Sequence, residues 1–171
     1  RPEKAGDPQV LARFEREVQA TAKLSHWNTI DIFDYGRTED GTFYYVMEYL
    51  PGLNFHDLVQ QHGPLPAERL IYLLRQTCDA LAEAHGIGLI HRDIKPSNVM
   101  VNDQGLRLFD FNAAREEDPV HEMTYHIGTP GYWAPEISRG PNYDRRADMF
   151  SVGVIFWELL HRRFFNSDRP S

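Results

Sequence analysis

IHRDIKPSN, residues 90–98, gathers His91, Arg92, Asp93, Lys95 and Asn98 around one proline. Polar groups at that density in a folded chain need partners, so the stretch reads as a loop built to hold something. Pro96 fixes its own φ and pushes Lys95 toward extended backbone, which stiffens the loop. Asp93 and Lys95 lie two positions apart and reach one common site if the backbone twists between them.

The flanks give the loop its setting. Asn98 leads into an apolar run at 99–101, a turn follows at Asn102-Asp103-Gln104-Gly105, and LRLFDF occupies 106–111. Two such runs about a glycine-bearing turn predict a hairpin. A hairpin brings its open ends together, so Asn98 and Asp110 are expected to be neighbours. Upstream, residues 66–85 set Leu70, Leu73, Leu74, Thr77, Cys78, Leu81 and His85 on one helical face, with Gly86 and Gly88 ending the helix.

Further out, residues 29–36 and 42–50 predict another hairpin, turning at Glu39-Asp40-Gly41. Pro51-Gly52 then breaks the chain, and a short helix is expected over 53–61. Residues 8–24 form an amphipathic pattern, with Val10, Phe14, Val18, Thr21 and Leu24 near helical spacing. No period holds over 113–133, which reads as a long loop of the kind that is usually functional or disordered. Residues 148–160, DMFSVGVIFWELL, are apolar almost all round apart from Asp148 and Glu158, which predicts a helix buried mid-domain.

Composition bounds the function. The 171 residues suffice for one domain with a core, and 42% hydrophobic with 25% charged residues describes a globular chain. A formal net charge of −7 argues against nucleic acid or an anionic membrane as the main partner. Cys78, the only cysteine, cannot form an internal disulfide, so a reducing compartment and a cytoplasmic location fit. No signal peptide or membrane segment is read from the chain.

Phosphoryl transfer from ATP asks a protein for positioning and charge neutralisation. It needs a carboxylate near the attacking hydroxyl, a cation near the phosphate, and oxygen ligands for Mg²⁺. Asp93, Lys95, Asn98 and Asp110 supply that set. HRDIKPSN resembles the catalytic loop of eukaryotic-type Ser/Thr protein kinases, DFN at 110–112 resembles their Asp-Phe-Gly motif, and APE at 134–136 matches their Ala-Pro-Glu motif. Three such motifs in order are specific, and the short loops are closest to bacterial members of the family.

The resemblance implies an α+β, protein-kinase-like fold of two lobes. Residues 1–50 would be a remnant of the N-terminal lobe, namely the family's C helix and a β-hairpin. Residues 51–171 would be the mainly helical C-terminal lobe as far as its F helix. It implies Asp93 as the acceptor of the substrate hydroxyl proton, Lys95 at the γ-phosphate, and Asn98 and Asp110 as Mg²⁺ ligands. Thr129, in GTPGYWAPE, would contact Asp93 and Lys95 and, with Lys95, points to Ser/Thr substrates. VMEYLPG at 46–52 resembles the hinge: Met47 as gatekeeper, the backbones of Glu48 and Leu50 on the adenine edge, Met100 beneath the ring. Glu17 would be the helix glutamate that pairs with the ATP-binding lysine. Arg92 would pair with a phosphorylated activation loop, His91 would be structural, and Asp148 would anchor the catalytic loop. Thr124 and Tyr125 are candidate phosphorylation sites.

Two departures follow. Asn112 replaces the motif's glycine, a mild restriction because asparagine tolerates positive φ. No glycine-rich loop and no lysine-bearing strand is found, and Lys4 has no strand before it. The chain is therefore expected to be a kinase domain truncated at both ends, with little or no activity by itself. Two other readings stand beside the enzyme: a non-catalytic pseudokinase scaffold, and a small-molecule kinase, against which the docking loop GTPGYWAPE argues.

Overall fold

A computed structural model describes residues 15, 18–111, 115–116, 128–137 and 144–161. The first hairpin pairs β1 (Ile32–Arg37) with β2 (Phe43–Met47), antiparallel, with Arg37 opposite Phe43 and Ile32 opposite Met47. Its turn closes through Thr38 N to Thr42 O at 2.9 Å, and Gly41 takes the positive φ of 83° that the turn requires. Asp40 caps the turn by accepting the Thr42 N–H at 3.2 Å.

Residues 53–54 differ from expectation. Leu53–Asn54 form a two-residue strand, β3, which pairs with β5 (Val99–Asn102), and α1 (Phe55–His62) starts only afterwards. Asn54 ends one element and begins the next: its side chain accepts the Asp57 N–H at 2.8 Å, a helix N-cap. Gly52 (φ 119°) lets the chain pass against the Val101 carbonyl, where any Cβ would collide.

The predicted central helix is present as α2 (Ala67–Gly86), of the length read but shifted one residue toward the C-terminus, with Pro66 as its N-cap. Its stripe of Leu70, Leu73, Leu74, Thr77, Ala80, Leu81 and Ala84 is buried, while Cys78 is only half-buried. The chain turns at Gly88 (φ 77°) into β4 (Leu89–Ile90). β5 pairs with β6 (Gly105–Leu108) as the predicted second hairpin, Val99 opposite Leu108. β7 (Arg115–Glu116) adds to β4 inside the segment expected to be irregular; a two-residue strand carries no period by which to read it.

The last described helix is α3 (Arg146–His161). Its Ile155 and Leu159 close the core with Leu70 and Leu81 of α2, Leu106 and Leu108 of β6, Phe55 and Ile94. Each such side chain contributes roughly 1.5–3 kcal/mol on burial. Among the described residues only one face of α3 is covered: Met149, Phe150 and Trp157 remain 40–44% exposed, so the expected burial all round is met on one side. No helix among the described residues is long and apolar enough to cross a membrane.

Of the amphipathic stretch at 8–24, residues 18–21 are helical, and Val18, Thr21 and Leu24 are buried. Val10, Phe14 and Glu17 lie outside the described residues. The loop that follows is fastened to α2 and β6. Glu83 accepts the N–H groups of Ser25 (3.1 Å) and His26 (2.9 Å). Asn28 donates to Gln76 at 3.1 Å and to the Leu106 carbonyl at 2.9 Å.

Candidate active site

The polar loop is held from below by one carboxylate. Asp148, on the first turn of α3, accepts the N–H of Arg92 at 2.8 Å through Oδ1. Its Oδ2 accepts the N–H of His91 at 2.9 Å and lies 2.8 Å from His85 Nε2. Those contacts hold Arg92 at φ 67°, a region a long side chain rarely adopts. Ile94, fully buried, pins the next turn to the core, and its neighbours Asp93 and Lys95 project the other way.

Asp93, Lys95 and Thr129 then close a triangle. Lys95 Nζ donates to Asp93 Oδ2 at 2.6 Å and to Thr129 Oγ1 at 2.9 Å, and Thr129 Oγ1 donates to Asp93 Oδ1 at 2.7 Å. Thr129 reaches them because Gly128 (φ 106°) passes beneath Arg92 and Trp133. A Cβ there would sit 2.6 Å from the Arg92 carbonyl and 2.6 Å from the Trp133 ring nitrogen. Asn98, at the end of the 3₁₀ turn Pro96–Asn98, donates Nδ2 to the Asp93 carbonyl at 2.9 Å and to Asp93 Oδ2 at 3.3 Å.

The second hairpin brings Asp110 to this cluster as expected. Phe109 N donates to Asn98 O at 3.1 Å, which places Asp110 one residue beyond that contact. Asp110 takes φ 64°, and it and Arg92 are the non-glycine residues of positive φ among the described residues.

His91 joins the two halves. Its Nε2 lies 3.1 Å from the Phe109 carbonyl, its Nδ1 accepts the Asp93 N–H at 3.3 Å, and its ring packs 4.4 Å from that of Phe111. This is the pattern of a neutral imidazole with Nε2 protonated. Burial pushes its pKa below the ordinary value, outweighing the pull of Asp148 and the Phe109 carbonyl. An unfolded chain at about pH 6 therefore binds a proton that folded His91 refuses. The stability this residue contributes is complete above its ordinary pKa of about 6.5 and falls as pH drops below that, levelling once folded His91 protonates. Urea unfolding between pH 8 and 5 is expected to show a shallower pH dependence for His91→Phe than for the wild type; equal slopes would remove the assignment.

The hinge residues lie at the end of β2. Met47 pairs with Ile32 and is 46% exposed. The Glu48 N–H donates to the Asp31 carbonyl at 2.9 Å. Among the described residues nothing bonds the Glu48 carbonyl or the Leu50 N–H. Met100, half-buried, is flanked by Asn54 and Arg107 in the sheet. Glu17, Asn112, Thr124 and Tyr125 lie outside the described residues, so the structure places none of them.

Sequence reasoning missed one support. Tyr132 Oη donates to Glu158 Oε1 at 3.1 Å, and Ser151 Oγ donates to the Tyr132 carbonyl at 2.7 Å, docking the GTPGYWAPE loop on α3. Burial first and Glu158 second push the Tyr132 phenol well above its usual pKa. The signal was a glutamate inside an apolar run.

The donor set suits Mg²⁺. Asn98 spends its Nδ2 on Asp93, which leaves its side-chain oxygen Oδ1, while its backbone carbonyl holds the N–H of Phe109, the residue before Asp110. No group of three or more His, Cys, Asp or Glu among the described residues is placed to hold a metal ion. A two-oxygen site that leaves other positions to water and phosphate is what Mg²⁺ favours.

A family model described as a protein kinase domain matches residues 2–170. Serine/threonine-protein kinase pkn3 of Myxococcus xanthus is 36% identical over 165 residues, covering 90% of this chain and 30% of the relative. PknB of Mycobacterium leprae is 36% identical over 94% of the chain and 27% of its own length. PknL of Mycobacterium tuberculosis is 38% identical over 91% and 40% respectively. The chain thus spans less than half the length of these relatives.

Proposed function

The chain belongs to the protein kinase domain family, and from that premise we propose that its site transfers the γ-phosphate of ATP to serine and threonine hydroxyls of proteins. The observation that carries this reading is the closed Asp93–Lys95–Thr129 triangle beside Asn98 and Asp110.

Asp93 takes the proton of the substrate hydroxyl as that oxygen bonds to the γ-phosphorus and the bond to the departing ADP oxygen breaks. Its carboxylate already accepts from Lys95, Thr129 and Asn98, yet two carboxylate oxygens offer about four acceptor positions, so one stays available for substrate. Lys95 spreads positive charge from Asp93 toward the transferred phosphate. Thr129 fixes both, which keeps their spacing before substrate arrives. Asn98 Oδ1 and the Asp110 carboxylate would hold Mg²⁺, which when bound neutralises charge on the phosphate oxygens. The Glu48 carbonyl and Leu50 N–H, unbonded among the described residues, offer an acceptor and a donor to the adenine edge, with Met100 beneath the ring and Met47 at its back. Glu17 keeps the lysine-pairing role that the family pattern gives it. Residues 1–50 and 51–171 form the parts above and below the nucleotide.

The test uses the full-length natural polypeptide that carries this sequence. Incubated with γ-labelled ATP, Mg²⁺ and peptides bearing single Ser, Thr or Tyr acceptors, it is expected to label Ser and Thr peptides, and chelation by EDTA is expected to abolish labelling. Nucleotide binding without any transfer would leave the scaffold reading in its place.

A further inference from the structure

Resting on that nucleotide site, we infer that Arg107 is a positioning residue that sets the hinge for the base of ATP. Arg107 looks like an ordinary strand arginine, yet it is only 8% exposed. Its guanidinium meets three groups at once. Nη1 donates to the Trp27 carbonyl. Nε lies 3.5 Å from Glu48 Oε2. Its Cζ stands 5.3 Å from the centroid of the Trp27 indole. A planar fork that bonds in two directions while stacking on a ring is arginine chemistry, which lysine reproduces only in charge.

The position of this cluster gives it a role. Arg107 is the direct β-sheet partner of Met100, so the two side chains leave the same face of the hairpin, at the floor of the base site. Glu48 is held at two points, its N–H by the Asp31 carbonyl at 2.9 Å and its carboxylate by Arg107. With both fixed, the backbone carbonyl oxygen of Glu48, the atom proposed to accept from adenine, is set in its place. The other arm of Arg107 grips a loop already fastened through Glu83 and Gln76. One guanidinium thus ties the hinge to the loop behind it and to the strand that leads into Asp110. The ion pair is 9% and 22% exposed at its two side chains, so salt screens it less than a surface pair.

The test compares wild type, Arg107→Met, Arg107→Lys, Glu48→Gln and the Arg107→Met/Glu48→Gln double variant of the full-length polypeptide. Readouts are KM for ATP, kcat and the Kd of fluorescent mant-ADP, with thermal unfolding as the folding control. Arg107→Met is expected to raise KM and Kd about tenfold with kcat within about twofold. Arg107→Lys should recover part of the loss. The double variant should be no weaker than Arg107→Met alone, since both changes break one contact. A folded Arg107→Met with wild-type KM and Kd overturns the inference and leaves the nucleotide site standing. If Arg107→Met does not fold, Glu48→Gln decides, because it keeps Arg107 on Trp27; wild-type affinity there overturns the inference equally. Failure of the wild type to bind mant-ADP overturns the nucleotide site and this inference together.

Discussion

Asp93→Asn is expected to lower kcat by about 10³-fold while leaving the Kd for ADP within about twofold. The asparagine keeps the shape of the side chain and one acceptor oxygen, so Lys95 and Thr129 can stay near their present places, 2.6 and 2.7 Å from the carboxylate. It loses the negative charge that draws the substrate proton away. Steady-state phosphotransfer to a serine peptide, paired with nucleotide titration, separates the two effects. A loss of less than tenfold would mean that Asp93 does not accept the proton, and that the triangle only shapes the loop.

The largest effect on stability is expected at Asp148, which is 1% exposed and receives two backbone N–H groups and His85. Hydrogen bonds to a charged group are worth roughly 1.5–3 kcal/mol each, and a buried donor left without its acceptor adds its own desolvation cost. Asp148→Ala removes all three contacts and should cost about 4 kcal/mol, lowering the thermal midpoint by roughly 10 °C. Asp148→Asn retains one acceptor oxygen and should cost about half as much. Urea titration gives both values directly. A cost below about 1 kcal/mol for the alanine variant would show that the loop keeps its conformation without the carboxylate.

What could be read from the chain, and what could not, follows the range of the interactions. The meeting of the chain around Asn98 with that around Asp110 was legible because only Asp103 and Gln104 separate the two strands and Val99 pairs with Leu108. The helix Ala67–Gly86 was legible because its buried leucines repeat at helical spacing. β3 and β7 escaped notice because two residues cannot display alternation. The one-sided packing of α3 escaped because an apolar surface does not say which side is covered. Asp93 and Lys95 follow from a local motif, whereas Thr129 joins them from 34 residues downstream and was expected only through family likeness. Arg107 carried no signal at all, since its burial is created by Trp27 and Glu48, each far away along the chain.

The grip of Asp148 on Arg92 spans 56 positions, and that distance has a temporal meaning. A ribosome releases the polypeptide from its N-terminal end. Every group from His91 to Asp110 emerges well before the carboxylate that makes the loop hold its shape. A nascent chain halted between the two would carry the loop on an unlatched backbone, so its shape is fixed only as translation delivers the final described helix.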